Sequence, residues 1–284
     1  RASNLVEVGD KAIKADALDE AVFAYQRALD FDPNQPALRR KLAKAQCRFT
    51  AEQPESLSPA GATNLVVRLK ALNLTEKDGP EIAVALGQVD LIRARSSAAH
   101  ARFEKVAKAF PKSPLAQFAL GKSRLIRGMK DQALEPLSKA VALQPNTARY
   151  RKALGRTLAK LGKWSRAEEA LARAAQIAED GTTLLHLGRA RLKLAKNGAA
   201  VDALKRAIPL LDGRRISQGR ALLGEALFRL GQFNEAIREL RASVKVTGSV
   251  GTLFVLASAY QGANNHGAAA RVLSRALADD PSNG

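Results

Sequence analysis

Aromatic side chains make up only 5% of this 284-residue chain. That scarcity weighs against single-stranded nucleic-acid recognition, in which bases stack on aromatic rings. A lone cysteine, Cys47, rules out an intrachain disulfide. It is weakly favourable to a reducing compartment, so a cytoplasmic setting is favoured over a periplasmic or envelope-associated one, and its place on an Ala/Leu-rich helix predicts a buried, inert thiol. No apolar run approaches the roughly 20 residues that cross a bilayer, and no signal-peptide or transit pattern is present. His100, His186 and His266 stand far apart, none with a second ligand at metal spacing. A P-loop, a dinucleotide glycine pattern and a nucleophile elbow are all missing. Glu168-Glu169 and Asp279-Asp280 are placed on an exposed helix face and at the chain's end, without an enclosing pocket to raise a pKa. The sequence therefore offers no catalytic residue, metal site or cofactor site. Acidic residues are scarce too: 27 against 46 Lys plus Arg, a formal net charge of +19.

What is present is a glycine that returns about every 34 residues: Gly87, Gly121 and Gly155, then with small slips Gly188 and Gly224. A leucine precedes each one. Twelve residues later comes an alanine (Ala99, Ala133, Ala167, Ala200, Ala236), and four further on Phe103, Leu137, Leu171, Leu204 and Leu240. Such self-similarity marks a solenoid, in which each repeat buries its apolar face only against its neighbours.

The spacing resembles the tetratricopeptide repeat, a two-helix unit reading W-x2-L-G-x2-Y, then A-x3-F, then Pro. Seven copies can be read, at 2–35, 80–113, 114–147, 148–180, 181–214, 217–250 and 250–283, the last two closing at Gly248 and Pro281. Residues 36–79 form a degenerate eighth copy, broken between 50 and 62 by Pro54, Ser56, Ser58, Pro59 and Gly61. The resemblance implies an all-α fold, a right-handed alpha-alpha superhelical solenoid of tetratricopeptide-like helix pairs with about fifteen or sixteen helices. Three parts are expected: residues 1–50, an N-terminal repeat and the start of the degenerate one; 51–79, an irregular joint with one helix; and 80–284, a main array of six repeats. The start at Arg1 and the closing Pro281 give the expectation of a piece of a longer protein. Gly128, Gly162 and Gly231 fall where each first helix must stop, and Trp164 and Phe233 occupy a packing slot two residues beyond.

The charge excess is uneven. Residues 1–60 balance, whereas 80–147 hold eleven bases against five acids, 148–180 eight against four, and 181–216 eight against two. A basic block on a rigid scaffold attracts an acidic partner and speeds encounter. The family resemblance implies that first helices line a concave groove, around the residue after the motif glycine. Those places hold Lys122, Lys152, Arg156, Lys160, Arg189, Lys193 and Arg229, interrupted by apolar residues that include Val84, Phe118, Leu125, Leu185 and Phe228. A second basic set, including Lys108, Arg173, Arg238, Arg241, Arg271 and Arg275, is expected on the opposite side as a solubilising surface. Family members that clamp a peptide carboxylate carry Asn directly after the glycine; here stand Asp10, Gln88, Lys122, Arg156, Arg189, Glu225 and Ser258, so that specificity is not carried over. The expected function is a non-catalytic protein-interaction scaffold that takes an acidic or amphipathic segment, within a larger bacterial assembly or envelope-associated protein. The alternatives are a nucleic-acid-binding helical repeat and a regulatory module of a larger enzyme.

Overall fold

Proline fixes φ and lacks an amide hydrogen, so it is best tolerated where a helix begins. Pro36, Pro59, Pro80 and Pro114 each open a helix. Ser58 and Ser113 cap two of these same helices, and Asp180 and Ser249 cap two more, by accepting hydrogen bonds from amides of the first turn. The computed structural model describes residues 2–15, 17–246 and 249–279, and among them there are sixteen α-helices and no strand. Gly248 and Pro281, expected as repeat ends, lie outside the described residues. The helices form hairpins, and the architecture is an all-α helical-repeat solenoid arranged as two compact units, 1–145 and 146–284.

The first unit contains α1 (Ala2–Lys14), α2 (Leu18–Phe31), α3 (Pro36–Glu52), α4 (Pro59–Ala71), α5 (Pro80–Ile92), α6 (Ser96–Ala109), α7 (Pro114–Ile126) and α8 (Lys130–Leu143). Here α3 packs more extensively on α5 than on α4. Ala43 and Cys47 of α3 meet Leu65 and Leu69 of α4 and Ile82 and Val89 of α5 in one apolar cluster. Burial, with the nearby charge of Glu81, pushes the Cys47 thiol up to about 12. The irregular link narrows to 53–58, which includes one 3-10 turn.

The second unit contains α9 (Ala148–Lys160), α10 (Trp164–Ile177), α11 (Gly181–Lys193), α12 (Asn197–Ala207), α13 (Gly213–Arg229), α14 (Phe233–Val244), α15 (Val250–Gly262) and α16 (His266–Asp279). A single apolar cluster runs from Leu171 to Ala276. Ser217 and Ser243 clasp α13 to α14 within it, each hydroxyl donating to the other residue's carbonyl at 2.9 and 2.8 Å.

In both units the repeat glycine is a contact point. A Cβ on Gly121 would stand 2.6 Å from Leu137 Cγ, and one on Gly155 2.7 Å from Leu171 Cγ. At the hairpin turns Gly128, Gly162 and Gly231 take φ of 79°, 72° and 76°, but Ala94 and Ala195 hold the equivalent places at φ 57°. An L-residue there is strained by about 1–2 kcal/mol.

Two stability changes of opposite sign follow. Helix propensity favours Gly121→Ala by about 1 kcal/mol, yet the overlap with Leu137 is expected to dominate and leave the variant about 1–2 kcal/mol less stable. Ala195→Gly is expected to gain about 0.5–1 kcal/mol by relieving the left-handed strain. Urea unfolding of both reads the signs, and a neutral Gly121→Ala would show that the seam is not close-packed. We also propose that 51–79 is the weak joint of the chain. Limited proteolysis should then cut first within 53–58, whereas first cuts inside 114–244 would place the weakness elsewhere.

Candidate partner-binding face

Exposure of a first-helix residue depends on its distance from the repeat glycine. Three residues before it stand Val84, Phe118 and Leu185, with exposures of 0%, 7% and 2%. These expected groove residues are interior, because that place faces the neighbouring helices. Phe118 is thereby corrected from an exposed anchor to a core ring. One residue after the glycine, Lys122 and Arg156 are exposed and Arg189 is half-buried; five after it, Lys160, Lys193 and Arg229 are exposed. Leu125 and Phe228, four after, are half-buried. The Phe228 ring packs on Phe233, with centroids 6.0 Å apart.

Phe118, Lys122 and Leu125 belong to α7 of the first unit. The other seven candidates lie in the second unit, where α11 has α9 and α13 as first-helix neighbours. Lys152 occupies in α9 the place that is apolar in α5, α7 and α11. A half-buried ammonium requires a partner, and Asp180 supplies it at 2.6 Å. Asp180 also caps α11, accepting from the amides of Thr182 at 3.0 Å and Thr183 at 3.2 Å and from both threonine hydroxyls. Burial opposes ionisation of this carboxyl, but the bonds from Lys152, Thr183 and Thr182 outweigh it and hold Asp180 well below the usual carboxylate range.

His186, half-buried on α11, sits within the field of this group. Burial first, and then the charges of Arg156, Arg189 and Lys152, push its imidazole down to about 4, while Asp180 pulls the other way. Three predicted cations from two neighbouring helices therefore act on a neutral histidine, and the Asp180 carboxylate beside it is already engaged by Lys152. Arg229 turns aside from them, donating to Glu225 at 2.6 Å and to the Leu192 carbonyl at 3.3 Å. The arrangement is suited to holding carboxylates of a docked segment by charge-assisted hydrogen bonds. The role of Asp180 was missed in the sequence, although an acid directly before Gly-Thr-Thr is a helix-start signal. Among the described residues no group of three or more His, Cys, Asp or Glu is placed to hold a metal, and no helix is long and apolar enough to cross a membrane.

Comparison with known proteins bears on the fold. The family profile described as tetratricopeptide repeat matches residues 84–148 and 127–183, so the middle of the chain carries tetratricopeptide repeats within the helical-repeat solenoid. No curated protein sequence matches it. Among solved structures it is similar to the Cut9-Hcn1 hetero-tetramer of the APC/C, with 20% identity and a TM-score of 0.61 over 93% of this chain and half of that one. It is also similar to YrrB, described as a TPR protein with an unusual peptide-binding site (20%, TM-score 0.56, 63% of this chain and 92% of that one). PilW, described as a widely conserved type IV pilus biogenesis factor, is a third (19%, 0.57, 71% and 94%). At these identities the likeness concerns the fold.

The depressed histidine pKa has a sign that can be tested. An unfolded histidine takes up a proton near pH 6.5, while folded His186 does so only near 4. The unfolded state thus binds more protons between those values, so stability should fall as pH drops from about 6.5 to 4 and level off below. His186→Gln should remove that part of the slope. An NMR titration should place the His186 midpoint near 4; a midpoint above 6 would show that burial and the three cations together do not depress the ring.

Proposed function

We propose that this protein is a protein-interaction scaffold whose first-helix face, centred on Lys152, Arg156 and Arg189, recruits an acidic or amphipathic segment of a partner protein. The observation that carries the reading is that Lys152, paired with Asp180 at 2.6 Å, stands with Arg156 and Arg189 on two neighbouring first helices, and that all three charges act on His186. Lys160 and Lys193 are exposed on the same helices and extend the positive field, which steers an acidic chain before contact. Half-buried Phe228 supplies an apolar edge. The likeness to a peptide-binding repeat protein and to a pilus biogenesis factor supports a role in bringing proteins together within a bacterial assembly. Nucleic acid is the less favoured partner, because aromatic rings are few where the cations gather.

The test uses charge-matched variants. Arg156→Glu with Lys193→Glu should weaken capture of the partner at least about tenfold, since docking depends on where charge stands. Lys108→Glu with Arg173→Glu makes the same change in net charge on second helices and should lower only the association rate, by a few-fold at most. Surface plasmon resonance at two salt concentrations separates the effects. Equal losses in equilibrium affinity from both pairs would replace the docking face with a diffuse polycationic surface.

A further inference from the structure

Residues 217–284 carry the smallest basic excess of the later repeats, seven bases against five acids. Their placement is nonetheless sorted. Two adjacent grooves, of about 740 and 640 Å³, open along α14, one beside the start of α13 and the other beside α15 and α16. They share Asn234, Ile237 and Arg241. Six of the seven bases line them: Arg220, Arg238, Arg241, Lys245, Arg271 and Arg275. Among the described residues no acidic side chain does so.

Within this pair of grooves the bases are mostly exposed, with Arg220 half-buried, whereas Val244, Leu253 and Leu256 are buried and Ile216, Ile237 and Val272 half-buried. The grooves thus combine a basic rim with an apolar floor. Arg238 touches Glu239 at 3.3 Å, but Arg220, Arg241, Lys245 and Arg271 have no ion pair among the described residues. Four cations held together without counter-charge repel one another, and an acidic ligand would remove that cost. Among the described residues Tyr260 is the one aromatic residue in either lining, which is poor provision for stacked bases.

We propose that these grooves are a second docking surface, separate from the first-helix face, and that they accept an acidic amphipathic helix of a partner protein. Its apolar stripe would lie over Ile237, Val272 and Ile216, and its carboxylates would meet Arg241, Lys245 and Arg271. A helix laid in a groove between helices buries the apolar floor and neutralises the rim in one step.

The probe is a fluorescein-labelled helical peptide with leucines on one face and glutamates on the other. Binding is read by anisotropy and the site by hydrogen exchange. Protection of α14 and α16 amides on binding is the expected result. Arg241→Glu with Arg271→Glu, both exposed, should weaken binding at that site at least about tenfold, and serine in place of the peptide's leucines should do the same. Arg156→Glu with Lys193→Glu should leave the protection of α14 and α16 unchanged, which keeps this surface distinguishable from the first. The proposal is overturned by protection confined to α9 and α11, by equal binding of the serine peptide, or by polyuridylate displacing the peptide at equal charge concentration.

Discussion

Everything else in this structure depends on the approach of one backbone to one side chain. In six hairpins a glycine on the first helix faces the side chain sixteen residues later on the second: Gly9 with Tyr25, Gly87 with Phe103, Gly121 with Leu137, Gly155 with Leu171, Gly188 with Leu204, and Gly224 with Leu240. Without a Cβ the first helix comes close enough for the large side chain to seat against its backbone. The alanine four residues before that side chain, at 21, 99, 133, 167, 200 and 236, is in every case fully buried. Because both partners belong to one hairpin, the contact is local in sequence. Stacking of hairpins then buries what each leaves exposed, as nearest-neighbour stability in a repeat array requires. Side chains that take part in neither contact point outward, and the exposed bases of the two proposed docking surfaces are among them.

A shortage of acids shapes those faces. With 27 acidic residues against 46 basic ones, several carboxylates are used as ties between helices. Glu168 on α10 holds Arg191 and Lys196 at 3.3 and 2.6 Å, and Glu76 holds Arg102 and Lys105, with Asp90 on the other side of Arg102 at 3.0 Å. Partly exposed pairs of this kind contribute little stability each, about 0–1 kcal/mol. Their consequence is distributional. Once the carboxylates are engaged between helices, the unmatched bases stand where helices face outward. A positive exterior is then the default, and its function depends on which bases are brought together.

Helix pairing was legible because its signal is a fixed spacing. Sixteen residues separate glycine from seam residue, and that distance is set by one turn and two half-helices. Two features escaped for physical reasons. Ala94 and Ala195 hold left-handed turns that Gly128, Gly162 and Gly231 mark openly; the surrounding packing imposes the backbone there against local preference. Phe118, Val84 and Leu185 read as groove residues because one periodic position can face either solvent or a neighbouring first helix, and only the stacking decides. At that same position Lys152 replaces an apolar residue, and its meaning emerges only with Asp180, 28 residues away.

The charge reading shows the same limit more sharply. Counting along the chain points to the stretch from 80 to 216, since the count adds bases from every face of every helix. A partner meets one face at a time. Between 217 and 284 the excess is small, but Glu225 is drawn to Arg229 away from the grooves, and of the groove bases Arg238 is matched by Glu239, while Arg241, Lys245 and Arg271 stand without an ion pair among the described residues. A modest net charge whose unmatched bases are clustered produces a stronger local field than a larger charge spread evenly, because opposite charges at close range cancel and screening removes contributions from beyond about 8–10 Å. In a helical repeat, therefore, the position of each base relative to its hairpin seam bears on where a segment could dock, while the total bears on the rate of encounter.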